Sequence, residues 1–299
     1  MAIRYWRPAA GQPPSPSPDL VRARASGRWT IDRTGEPTVA DVLVQDREDG
    51  VRVLRFNRPD RLNALTPDMV ATITQHVSEA TAHRAVLLTG SGRGFCAGVD
   101  IAGADERQRG RSNADGLAMQ ERFGRMILAV AQAPCPVVSA VNGPAAGAGL
   151  ALSVASDIRL AGRSARFIIG APRIGLSAGE CGLSYFLPRL IGMGRAAEWM
   201  LTNRTVESSE AFNIGLVTTL VDDEKLEEAA EDALARIIAL SPFGQKMTKQ
   251  VYRQNVDASC LDAALDLENR TQILANATVD AAEARAAFME KRTPNFVGR

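Results

Sequence analysis

"PVVSAVNGPAAGAGLALSVASDIRLAG", residues 136–162, decides the fold. An apolar strand, "PVVSAVNG", enters a turn of Gly and Ala, continues as an apolar helix and returns as a second strand, "DIRLAG". No ionisable side chain appears before Asp157. Two strands joined through a helix form a crossover unit, and strands apolar on every position are buried on both faces, so the stretch predicts a largely parallel sheet covered by helices.

The same alternation extends outward. Upstream, "RAVLLTG" (84–90) is a second continuously apolar strand, and an amphipathic helix is predicted over roughly 113–133. "DVLVQDREDGVRVLRFNRP" (41–59) alternates apolar and polar residues about an Asp-Gly pair, which predicts a β-hairpin. "TPDMVATITQHVSEATA" (66–82) has a Thr N-cap ahead of apolar positions at helical spacing. Downstream of "FIIGAPRIGLSAGECG" (167–182) the pattern turns helical, with one strand, "LVTTLV" (216–221), ahead of four long amphipathic segments that begin near residues 223, 242, 261 and 278. Helices with an apolar stripe and no sheet of their own pack on the main body or on another subunit, so an oligomer is expected.

Composition narrows the function classes. The chain has 299 residues, 45% of them hydrophobic, enough for a sizeable core. Its formal net charge of +1 is spread without long basic blocks, which argues against nucleic acid as a partner. No apolar run approaches the roughly 18 residues of a membrane span. Residues 1–38 are Pro- and Arg-rich without periodicity, read as a flexible extension, and their lack of an apolar h-region makes a cytoplasmic enzyme the expectation. Cys96, Cys135, Cys181 and Cys260 form no CxxC pair, so neither a metal site nor a redox centre is expected. The two histidines, His76 and His83, fall on or just after one predicted helix, where a surface role is expected.

"GLSAG" (175–179) matches the nucleophile-elbow pattern, but that mechanism needs a histidine later in the chain and none follows His83. "GSGRGFCAG" (90–98) lacks the third glycine and the distal acid of a dinucleotide loop. More informative are two turns of small residues, "GFCAGVDI" (94–101) and "NGPAAGAGLAL" (142–152), each following an apolar strand. Small residues let a ligand approach the backbone, and unpaired N–H groups there can stabilise negative charge on a carbonyl oxygen. Close helix–strand packing is the plainer reading of either turn alone.

Together with these turns, "NRPDRLNAL" and "LPRLIGMGRAAEWMLTNRTVESSEAFNIGLVTTLV" strongly resemble the enoyl-CoA hydratase/isomerase, or crotonase, superfamily from about residue 40 to the C-terminus. The resemblance implies an α/β fold: a ββα spiral core over 39–205 carrying the acyl-CoA site, and a helical C-terminal trimerisation region over 206–299, assembled as a homotrimer or a dimer of trimers. It implies an acyl-CoA thioester substrate and no separate cofactor, coenzyme A being part of the substrate. By position, the two oxyanion amides are those of Val99 and Ala148. Arg58, Arg61, Leu62, Ala97, Asp100, Ile101 and Gly147 are implied at the substrate site, and Lys291 and Arg292 as partners of coenzyme A phosphates; solvated surface charge is the alternative for the four cations. Asp105 and Glu106 follow the first turn without an assigned role.

The sequence also departs from the family. The two glutamates usual in its hydratases are matched by Ala151 and Ala171, which can neither orient water nor move a proton. Glu180 is the acid left in the neighbourhood, flanked by Gly179, Cys181 and Gly182, where partial burial would raise its pKa. Its alternative role is to cap the helix beginning near "CGLSYFL". Asp157 is expected to fix the turn before "IRLAG". Isomerisation of a double bond by Glu180 is therefore expected over standard hydration; the alternative is an acyl-CoA-binding protein without turnover.

Overall fold

In the computed structural model the described residues are 30–31, 37–38, 40–101 and 112–299. Residues 1–40 and 41–299 are separate units. Of the first, β1 (Thr30–Ile31) and β2 (Pro37–Thr38) are described, paired antiparallel, together with Ala40; the rest of the extension expected to be flexible lies outside the described residues, as do Asp105 and Glu106.

The unit from Asp41 onward is built on a six-stranded sheet. Its members are β3 (Val42–Asp46), β4 (Val51–Phe56), β5 (Ala85–Gly90), β6 (Val137–Val141), β8 (Ile158–Gly162) and β11 (Thr219–Val221), in the order β11-β8-β6-β5-β4-β3. The β3–β4 hairpin is antiparallel, with Val44 opposite Leu54, and every other pairing is parallel. No break in the sheet falls at residue 206, because β11 pairs with β8 through Leu220 and Ala161.

The continuous apolarity of β5 and β6 follows from burial on both faces. Val86, Leu88, Val137 and Val141 enter the larger core, whereas Ala85, Leu87, Val138 and Ala140 enter a second one. The larger core is closed by α1 (Pro67–Ser78), α2 (Asn113–Ala131) and α3 (Ala148–Ala155). The second is covered by α7 (Leu226–Ile238), which contributes Leu226, Ala230, Leu234 and Ile237 at helical spacing. Truncating a fully buried residue such as Leu88 to Ala removes about 2–5 kcal/mol.

Local signals start the helices where the sequence places them. The Thr66 hydroxyl accepts from Met69 N at 3.2 Å, with Pro67 in the first turn of α1. Ser112 and Asp115 form a reciprocal capping box at the start of α2, which ends at Ala131 rather than 133. Helix α3 is buried on every side, as its uniformly apolar sequence requires.

A second sheet had no counterpart in the sequence reading. The strands β7 (Pro144–Ala146), β9 (Arg166–Ile168) and β10 (Val206–Glu207) pair in the order β10-β9-β7. This sheet turns the stretch "PAA" from a loop into a strand, and so fixes the approach to α3.

Beyond β9, α4 (Leu183–Ile191), α5 (Met193–Thr202) and α6 (Ser208–Asn213) complete the body. The chain ends in α8 (Pro242–Asn255), α9 (Leu261–Asn276) and α10 (Val279–Glu290). These last three bury little: α9 has no buried residue, and Leu261, Ile273, Phe288 and Met289 are each more than two-thirds exposed. No helix among the described residues is long and apolar enough to cross a membrane.

Candidate active site

The two small-residue turns meet face to face. Cys96 and Ala145 form a parallel bridge in which Ala146 N donates to Cys96 O at 2.9 Å. Gly98, at φ +85°, packs so closely that a Cβ there would lie 2.7 Å from Ala146 O and 3.4 Å from Ala148 N. Any larger residue would push the turns apart.

Their geometry aims two amides the same way, for different reasons. In a trans peptide the N–H and the preceding C=O point in opposite directions. Gly98 O accepts from Leu65 N at 2.7 Å, so Val99 N–H points away from Leu65. Gly147 O accepts from Ala151 N at 2.9 Å inside α3, so Ala148 N–H points out of the helix N-terminus, where the dipole adds positive potential. Among the described residues neither amide has a hydrogen-bond acceptor. Two outward-pointing donors on facing turns are the arrangement an oxyanion hole requires.

Glu180 closes the third side. A Cβ at Gly147 would stand 3.6 Å from Glu180 Oε1, 3.7 Å from Ile169 O and 4.0 Å from Gly98 Cα. The carboxylate is therefore brought to the junction of the turns. It is half-buried and, among the described residues, has no hydrogen-bond or ion-pair partner. Burial alone raises its pKa above the ordinary 4.5. As to the capping alternative, the N-cap of α4 is Gly182, no side chain among the described residues bonds that helix end, and the Glu180 backbone carbonyl receives Leu183 N, so what is left to its side chain at that end is the favourable charge–dipole placement. Cys181 beside it holds φ +48°, a strained conformation for a residue with a side chain, and burial pushes its thiol up to about 12.

Ala151 lies one turn into α3, fully buried, and Ala171 opens the short turn Ala171–Ile174, 4% exposed. A Cβ at the preceding Gly170 would lie 3.8 Å from Gly147 N, so both alanines flank the second turn. Neither brings a polar side chain to it.

The remaining expected residues divide by location. Leu62, Ala97, Asp100, Ile101 and Gly147 cluster at the turns: Ala97 N donates to Leu62 O at 2.9 Å, and Val99 and Ile101 expose 37% and 51% of their surface. Arg58 faces inward, its Nη1 donating to Ala64 O at 2.6 Å and to Asp100 Oδ2 at 2.9 Å. Arg61 is exposed. Lys291 and Arg292 follow α10, and Arg292 binds Glu283 and Glu290, with no recorded hydrogen bond or ion pair to the turns among the described residues.

Asp157 does more than fix a turn. Its side chain, 9% exposed, accepts from Val137 N at 2.7 Å, pairs with Lys249 Nζ at 2.7 Å and Arg253 Nη2 at 2.8 Å, and accepts from the Tyr252 hydroxyl. It pins α8 to the sheet. His83 is only partly exposed and binds Asp46, which its pairing with Arg52 holds at about 2. Sequence reasoning missed this anchoring role of Asp157 because Lys249 and Arg253 lie far along the chain.

The chain matches the enoyl-CoA hydratase/isomerase family over residues 46–299. It is 37% identical over 263 residues to the 1,2-epoxyphenylacetyl-CoA isomerase of Escherichia coli, covering 87% of this chain and 99% of that protein. Among solved structures, an enoyl-CoA hydratase from Bacillus anthracis aligns with a TM-score of 0.81 at 30% identity, covering 87% of this chain and all of that one. A monofunctional enoyl-CoA isomerase from Mycobacterium smegmatis aligns with a TM-score of 0.64 at 35% identity, covering 75% of this chain and 98% of that one. This chain belongs to the enoyl-CoA hydratase/isomerase family and has its crotonase fold. It is an enzyme of that family acting on acyl-CoA thioesters.

Proposed function

We propose that the protein moves a double bond within an acyl-CoA substrate, with Glu180 as the single proton carrier. The observation that carries this reading is a partially buried carboxylate, without a partner among the described residues, at the junction of two turns whose amides point outward. The thioester oxygen accepts hydrogen bonds from Val99 N–H and Ala148 N–H, which stabilises the enolate formed when a proton leaves the acyl chain. Glu180 takes the proton from one carbon and returns it to another, ending in its starting state. No water is consumed, which suits the alanines at 151 and 171.

Burial favours the reaction by keeping the Glu180 pKa nearer to neutrality than an exposed glutamate's, so the carboxylate is a stronger base. Proteins named as isomerases stand beside a larger number named as hydratases among those similar to this chain, so the reading rests on the site and not on the names. For the coenzyme A portion we assign Leu62, Ala97 and the exposed Arg61 to the near side of the site, with Lys291 and Arg292 as phosphate partners in an assembled homotrimer or dimer of trimers. The exposed apolar residues of α9 and α10 support self-association, which light scattering of the purified protein would test.

The test of the function is steady-state conversion of 3-enoyl-CoA to 2-enoyl-CoA, followed by ultraviolet absorbance, in the natural protein and in Glu180→Gln. The reading requires turnover that collapses in the variant. Binding without turnover in the natural protein would instead favour an acyl-CoA-binding protein.

A further inference from the structure

The two oxyanion amides are backed differently. Ala148 N–H draws its positive potential from α3, which it opens, whereas Val99 is a bridge residue paired with Leu65, two positions before the helical Ile101. Behind Val99 there is instead a chain of hydrogen bonds. Arg58 Nη1 donates to Ala64 O at 2.6 Å; the N–H of that same peptide, on Leu65, donates to Gly98 O at 2.7 Å; and the N–H of the Gly98–Val99 peptide is the oxyanion donor. Two peptide groups thus stand in line between a guanidinium and the thioester oxygen.

Hydrogen bonds in series polarise one another, and a cation at the donor end strengthens the last N–H. The guanidinium is also braced. The same Nη1 pairs with Asp100 Oδ2 at 2.9 Å, and Asp100 N donates to Leu65 O at 3.1 Å, so Asp100 ties both segments together on the far side of Val99. Arg58 and Asp100 side chains are only 19% and 13% exposed, which limits screening of the pair by water. Asp41 Oδ2 lies 3.5 Å from Arg58 Nε, and Asn63, fully buried, anchors the segment by accepting from Arg58 N and donating to Ser91 O and Gly94 O.

We propose that Arg58 is a positioning residue for the reaction, acting through the Ala64–Leu65 and Gly98–Val99 peptides to aim and polarise the first oxyanion amide, with Asp100 holding it in place. This role rests on the oxyanion-hole reading of Val99 and Ala148, and it is independent of what Glu180 does.

The probe is butyryl-CoA carrying carbon-13 at the thioester carbonyl, bound to the full chain and read by isotope-edited infrared spectroscopy. The natural protein should lower the carbonyl stretching frequency on binding. Arg58→Gln and the isosteric Asp100→Asn should lose a large part of that shift, and their kcat should fall about 10- to 100-fold, the scale of a misaimed catalytic contact. KM should stay within about threefold. Arg58→Lys, which keeps the charge without the fork, should recover part of both. Glu180→Gln should keep the full shift, which separates this role from proton transfer. An unchanged shift and kcat in folded Arg58→Gln and Asp100→Asn would overturn the proposal. It would equally fall if Arg58→Gln lost affinity for coenzyme A alone while the shift stayed intact, for then the guanidinium serves a phosphate. Absence of any shift in the natural protein would remove the oxyanion hole on which the proposal stands.

Discussion

Glu180 and Asp157 are both partly or wholly withdrawn from water, yet their surroundings are opposite. Asp157 accepts from a backbone amide, two cations and a phenol, and the elements it joins are a strand and the distant α8. Glu180 has no partner among the described residues, and its pKa rises through burial alone. A carboxylate surrounded by donors has its oxygens committed to joining elements and serves the fold. One left without donors beside two outward-pointing amides costs the fold stability and retains basicity for a substrate.

The largest expected effect breaks the catalytic member. Glu180→Gln should lower kcat for double-bond migration by about 10²- to 10⁴-fold, the span attributed to a positioned general base, while acyl-CoA affinity measured by calorimetry persists. The structural member is tested by Asp157→Ala, which strands the buried Lys249 ammonium beside the Cys135 and Val130 carbonyls. Breaking a buried pair in this way should cost about 3–5 kcal/mol in denaturant unfolding. A smaller loss would mean that water or rearrangement compensates for Asp157.

Gly98→Ala sharpens the comparison from the side of the backbone. At φ +85° and with a Cβ 2.7 Å from Ala146 O, it should lose about 1–3 kcal/mol of stability and misdirect Val99 N–H, which chemical denaturation and kcat report separately. The smallest effect is on stability and has the opposite sign. Because the folded pKa of Glu180 is raised, its contribution to stability is greatest below the unfolded value of 4.5 and is lost as pH rises through the folded value. Near neutral pH, Glu180→Gln should therefore raise the thermal midpoint slightly, where Asp157→Ala lowers it. The same shift places the acid limb of the kcat profile above 4.5, because only the ionised carboxylate accepts a proton.

The sheet was legible where burial on two faces writes a continuous apolar run, as in "AVLL" of β5 and "VVSAV" of β6. The second sheet was not, because β7 is Pro-Ala-Ala, poor in strand formers, and β10 is only two residues, too short for a pattern to show; β9 pairs between them. The turns bearing Val99 and Ala148 were visible as small residues after apolar strands, and family resemblance supplied which amides to single out. Arg58 and Asp100 are 42 residues apart, so no local periodicity links them, and only the parallel bridge between Leu65 and Val99 brings them together. That Glu180 has no partner among the described residues likewise depends on what folding leaves out of reach.

Incubation of 3-enoyl-CoA with the natural protein and with Glu180→Gln in deuterated water, followed by mass spectrometry of the acyl chain, tests the central claim most directly. A Glu180 proton carrier predicts 2-enoyl product without added water, deuterium on carbon where the carried proton exchanges with solvent, and loss of both product and label in the variant. A product heavier by one water, or unchanged isomerisation in Glu180→Gln, would contradict it.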